Sequence, residues 1–356
     1  MSTRTFGSRI LAAVGDPRQP GPATTPGQDA VTAATSAWLI GGLMTDAWAH
    51  SNVPELESFF TPWHAAFYGG FLATAVWVLW LVGRNLRAGL RGFAAVPTGY
   101  RATVIALMVF TVSGLADMTW HLVFGIEETI NILFSPSHLG LAASMFIIVT
   151  SPVRSALARP DLPAAPPFRM LWPALLAAGL AAALVMLFLG YGNAAVRTSG
   201  YIVGVFSSTD FPLVDLQASD LVITNLVLII PLLYLARRWR LPFGAALLAM
   251  VPTVILSGAE SSLRNSTILW TFVAAAVLVD LLLALLRPSG DRRAMYQVFA
   301  ALAPLLTWAL YFAVASWRIG ALPGVVELWT GAPVVAALLG WLLAALLLPP
   351  RSPARQ

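Results

Sequence analysis

The chain has no cysteine and no lysine; all 21 of its basic residues are arginine. Without thiols it can hold no disulfide, no cysteine-ligated iron–sulfur cluster and no thiolate metal site. Charge is scarce as well. Only 10% of the 356 residues are charged, against 58% hydrophobic, and the mean hydropathy is +0.78. No Gly-rich phosphate loop, nucleotide motif or Ser/His/Asp order stands out. Histidine occurs only four times.

What the chain has instead is long apolar runs separated by short polar breaks. The runs are continuous and do not alternate, which argues against a β-barrel and for an all-α, polytopic integral membrane protein. Ten spans are expected, near 31–49, 63–83, 101–124, 136–155, 170–191, 217–236, 243–259, 267–286, 296–317 and 330–349. With both termini in the cytoplasm, only Arg197, Arg264 and Arg318 fall outside, so the positive-inside rule sets the orientation. The sequence pI near 10.1 then reports topology rather than nucleic-acid binding. A multi-pass protein of the bacterial inner membrane is expected.

Composition divides the chain further. Residues 1–29 are polar and rich in Pro and Gly, with no leucine-rich core before a small-residue cleavage site, and read as a disordered cytoplasmic tail. Residues 30–155 form a four-helix block with an internal repeat. Residues 156–169 form a Pro-rich linker, and 170–350 a six-helix membrane block. The outer loop 192–216 is apolar enough to lie on the membrane surface.

The internal repeat carries the chemistry. "DAWAHSNVPELESFFTPWH" spans 46–64 and "DMTWHLVFGIEETINILFSPSH" spans 117–138. In each, an Asp and a His four residues apart share one helix face at the end of a span: Asp46 and His50, then Asp117 and His121. A loop with acidic residues follows, and a Ser/Thr–Pro start opens the next span with a second His in its first turn. Those are His64 and His138. Ser or Thr at the cap and Pro at the first helical position are a helix start signal. The two copies hold every histidine of the chain.

Two imidazoles and a carboxylate suit copper, iron or zinc. A His in a first turn feels the positive helix end, which favours the neutral imidazole a metal needs. A carboxylate at membrane depth costs roughly 2.5–3.5 kcal/mol on insertion scales unless compensated, and a metal would compensate it. The bland alternative is polar residues hydrogen-bonded at the lipid–water boundary. Glu57, Glu127 and Glu128 are either outer partners of the sites or solvated loop acids. Tyr68, one turn beyond His64, is either an outer partner or packing. Trp48, Trp63 and Trp120 read as boundary aromatics.

Over about residues 30–155, these motifs resemble the metal-binding helices of the C subunit of particulate methane and ammonia monooxygenases. "DAWAH" with "FFTPWHAAFY" and "DMTWH" with "LFSPSH" carry the resemblance. It implies that Asp46, His50 and His64 form one metal site and Asp117, His121 and His138 another close by. It also implies copper, molecular oxygen and hydroxylation of a small apolar substrate. Asp117 departs from the family's Asn and gives the second site more negative charge. The gap from His121 to His138 is longer than that from His50 to His64. Residues 170–349 have no counterpart in that subunit, and nothing resembles the soluble copper domain of its partner.

The expected function is therefore a membrane metal-dependent monooxygenase with its sites near the outer face. It would take electrons from an external donor such as a quinol and work as a homo-oligomer or with partner subunits. The alternative is a transition-metal transporter or metal-handling protein. In the second half, Asp280 inside a span is a functional candidate or an arginine partner. Asp210, Asp215 and Asp220 read as exposed, and Glu260 and Arg264 as an outer turn that pairs internally or covers the metal sites.

Overall fold

The computed structural model describes residues 20–53, 60–124 and 133–348. Among them every regular element is helical. The α-helices are α1 (Pro26–Asn52), α2 (Pro62–Arg87), α3 (Arg101–Phe124), α4 (Pro136–Val149), α5 (Ser151–Ala158), α6 (Phe168–Phe188), α7 (Ser199–Val205), α8 (Phe211–Ala236), α9 (Ala245–Glu260), α10 (Ser266–Leu286), α11 (Arg293–Ile319) and α12 (Val326–Leu347). Among the described residues, eight helices are long and apolar enough to cross a membrane, with α4 and α5 counted together as Pro136–Ala158. Of the ten expected spans, the α1 segment is long but less apolar, and α9 is apolar but only 16 residues.

The chain divides into two compact units, one taking in the chain through Leu162 plus Leu171–Ala181, the other Pro163–Met170 and the chain from Ala182 onward. The first contains α1 to α5. Order begins earlier than composition indicates: α1 starts at Pro26, behind a Thr25–Gln28 capping box. Residues 1–19 lie outside the described part. Asp29, expected at the end of a disordered tail, is buried. Its Oδ1 accepts from Thr24 and Tyr100, both at 2.8 Å, and its Oδ2 from Ser155 at 2.9 Å. Three hydroxyls satisfy the carboxylate and tie α1 to α5 and to the start of α3. The linker is also shorter than expected, since α5 runs to Ala158 and α6 begins at Phe168.

Two close helix crossings position the site. A Cβ on Gly42 would lie 2.6 Å from the Phe67 Cα, so only glycine lets α1 approach α2 this closely. On the other pair, a Cβ on Gly140 of α4 would collide with the Ser113 hydroxyl of α3. Small residues at such crossings are how membrane helices pack without a hydrophobic driving force between them.

In the second unit, the acids meet partners that sequence spacing does not reveal. Asp280 is fully buried in α10 and accepts from the Ala246 and Leu247 N–H groups at 2.8 and 3.2 Å. It thereby caps α9, whose own cap residue Gly244 has no side chain and a φ of 92°. Asp280 is a helix cap, and among the described residues no arginine lies within ion-pair range of it. Asp220, expected to be exposed, is fully buried and paired with Arg197 at 2.7 Å; Asp210 and Asp215 are exposed as expected. Glu260 accepts from Asn193 at 3.0 Å instead of pairing with Arg264.

Candidate metal centre

Each triad is assembled by a helical hairpin. Asp46 and His50 lie in the last turns of α1, and His64 lies in the first turn of α2. The Thr61 hydroxyl caps α2 by accepting from the His64 backbone N–H at 3.1 Å, so the cap fixes the backbone of the histidine itself. The second hairpin repeats the device. Asp117 and His121 close α3, and Ser135 caps α4 by accepting from the His138 N–H at 3.3 Å. Pro62 and Pro136 stand at the first helical positions. The sequence start signal is thus also the device that sets the angle of each second histidine.

The side chains converge within each set. His50 Nε2 lies 3.7 Å from Asp46 Oδ2, and His64 Nε2 lies 3.5 Å from Asp46 Oδ1. His121 Nε2 lies 3.7 Å from Asp117 Oδ1, and His138 Nδ1 lies 3.4 Å from the same oxygen. In each triad, one donor atom from each residue lies within 4.8 Å of the other two. Asp46, Asp117, His64 and His121 are buried. Among the described residues, imidazoles and no guanidinium lie within ion-pair range of Asp46 and Asp117.

These separations suit a shared ion. Imidazole nitrogen and carboxylate oxygen bind first-row metals at about 2.0–2.2 Å, so a tetrahedral site puts neighbouring donors about 3.4 Å apart. A direct charge-assisted hydrogen bond would draw the same atoms to about 2.7–2.9 Å. The observed 3.4 to 3.7 Å falls at the coordination spacing. Three protein donors also leave a position open to an outside molecule.

The triads are neighbours. The His64 and His121 rings lie 6.5 Å apart between centroids, about the spacing within each set, which is 6.0 Å for His50–His64 and 5.8 Å for His121–His138. Tyr68 stands beside this contact, its ring 6.2 Å from that of His64. Trp48 and Trp63 pack edge-on at 5.6 Å next to the first triad. Glu57, Glu127 and Glu128 lie outside the described residues.

Two partners in the second triad escaped the sequence reading. Ser137 donates to Asp117 Oδ1 at 3.1 Å, and the Ser135 hydroxyl lies 2.6 Å from His138 Nδ1. The motif "SPSH" announces Ser135 as a cap, and its spacing does not reveal these two side-chain contacts. No family model matches the chain, and neither a curated protein nor a solved structure matches it.

Proposed function

We propose that the chain is a multi-pass membrane metalloenzyme whose two triads hold transition-metal ions side by side and oxidise a small, mainly apolar substrate with O2. Copper is the metal favoured by the resemblance to the monooxygenase subunit; iron and zinc suit the same donors. The observation that carries the reading is the pair of Asp/His/His sets, each with donor spacings of 3.4 to 3.7 Å, set next to one another. When bound, a redox-active ion supplies the electron-transfer chemistry that activates O2.

The chain's own residues do the rest. Asp46 and Asp117 offset cationic charge, four imidazoles supply neutral donors, and the capped starts of α2 and α4 hold two of those rings in place. The distribution of arginine supports ten spans with both termini in the cytoplasm and the triads toward the outer face of a bacterial inner membrane. Electrons come from a separate donor, a quinol being the simplest in a membrane.

Transport is the weaker reading. Both triads lie at one end of their hairpins, whereas a carrier needs a site near the midplane that is reachable from both faces.

Purified protein in nanodiscs tests the proposal by metal analysis after loading with copper or iron, and by substrate-dependent O2 consumption with a quinol. Binding of metal, with turnover lost in His50→Ala and His121→Ala while the fold is kept, supports it. Unchanged metal content in both variants reduces the triads to boundary chemistry, and metal-dependent uptake into vesicles moves the reading to transport.

A further inference from the structure

A cavity of about 210 Å³ opens between α2 and α3, with Tyr68, Phe71, Phe110, Gly114 and Met118 among its walls. It adjoins the triads in sequence and in space. Tyr68 lies one turn beyond His64, and Met118 follows Asp117. The lining is almost wholly apolar. Thr111 also reaches it, but its hydroxyl donates to the Leu107 carbonyl of its own helix at 2.9 Å. The Thr111 hydroxyl keeps only accepting capacity, and the phenol of Tyr68 is the other polar group in this wall. A phenol both donates and accepts, so it can meet a ligand while keeping contacts within the protein.

Gly114 sets the depth of the cavity. A Cβ there would stand 3.1 Å from the Tyr68 ring and 3.3 Å from its hydroxyl oxygen, so glycine leaves room for the phenol and for a molecule beside it. Phe67 and Phe110 hold the same ring from other sides, at 5.0 and 5.9 Å between centroids. An enclosed apolar cavity of about 150 Å³ is enough to hold benzene, and this one, open on the side where Leu115 is exposed, has room for a substituted ring or a short alkyl body.

We infer that the cavity binds a compact, largely apolar molecule bearing one hydrogen-bonding group, with the Tyr68 hydroxyl as its anchor, and presents that molecule beside the paired triads. Binding and anchoring stand on the cavity alone; presentation rests on the metal reading above.

The test uses full-length protein in nanodiscs and two probes read by fluorine NMR, 4-fluorobenzyl alcohol and 4-fluorotoluene. With EDTA present, both should bind saturably. The alcohol should bind about three- to tenfold tighter, the size of one net hydrogen bond. Tyr68→Phe, which keeps the ring, should erase that preference and leave the toluene unchanged. Gly114→Leu should abolish saturable binding of both.

Equal binding of the two probes, or a preference that survives Tyr68→Phe, overturns the anchor. Probe signals indifferent to Gly114→Leu mean partition into lipid, with acyl chains as the cavity's occupant, and overturn the site. Added Cu²⁺ should then broaden the bound probe in wild type and not in a His64→Ala, His121→Ala double variant. If Cu²⁺ does not bind, the metal reading fails while the EDTA result stands. If it binds without broadening the probe, presentation fails.

Discussion

Between the two triads the residues come in the same order at similar distances, while the carboxylates are set differently. Asp46 divides its work, one oxygen toward His50 and the other toward His64. Asp117 turns a single oxygen toward both of its histidines, and that oxygen also accepts from Ser137. The equivalent of Ser137 in the first copy is Trp63, which packs on Trp48 and has no hydroxyl to give. Toward its carboxylate the first copy presents His64 Nε2, whereas the second presents His138 Nδ1, the nitrogen that also meets the Ser135 hydroxyl. The triads thus share their residues, and differ in the ring nitrogen turned to the carboxylate and in Ser137 against Trp63 beside it. Those outer groups tune metal affinity strongly. Each triad carries one carboxylate, and a hydroxyl donor from Ser137 sets that of Asp117 apart, so formal charge does not rank the two sets.

Replacing one histidine at a time probes this comparison most severely. His50→Ala and His121→Ala should each cost the protein one of two bound ions and keep the other, as read by metal analysis of purified protein. Loss of both ions from either variant would make the triads one interdependent centre and dissolve the comparison. Next in size, Ser137→Ala should weaken the second triad about 10- to 100-fold in a chelator competition and leave the first unchanged.

Gly42→Ala acts on the other side. Its methyl would meet the Phe67 backbone, and the resulting strain, about 1–3 kcal/mol, should lower the thermal midpoint and weaken only the first triad. The smallest effects come from the caps. Thr61→Ala and Ser135→Ala should each destabilise by about 1 kcal/mol in thermal unfolding. Metal binding at the matching triad should fall with each, because the two caps fix the backbones of His64 and His138.

The helical class and the membrane-length helices were readable because apolar runs of such length have few other solutions. The triads were readable for a local reason. Asp-x3-His places two groups on one helix face, and a Ser/Thr–Pro start fixes the turn carrying the third. What was hidden depends on residues far apart in sequence. Asp220 stands at the expected outer start of a span, which reads as exposed, yet Arg197 reaches it from 23 positions away. Asp280 drew attention as a charge in a span, but its partners are backbone N–H groups 33 and 34 residues earlier, which no side-chain pattern announces. The adjacency of the two triads was implied only by the resemblance, since nothing within either motif sets the distance from His64 to His121.

The cap that Asp280 places on α9 constrains how this part of the chain is built. Sixteen helical residues rise about 24 Å, short of the roughly 30 Å of a bilayer's hydrocarbon layer. A helix that starts below the surface leaves its opening amides without water, a state that lipid cannot relieve. Here the relief comes from the following helix. The first turn of α9 is therefore completed only after α10 has been synthesised and docked against it.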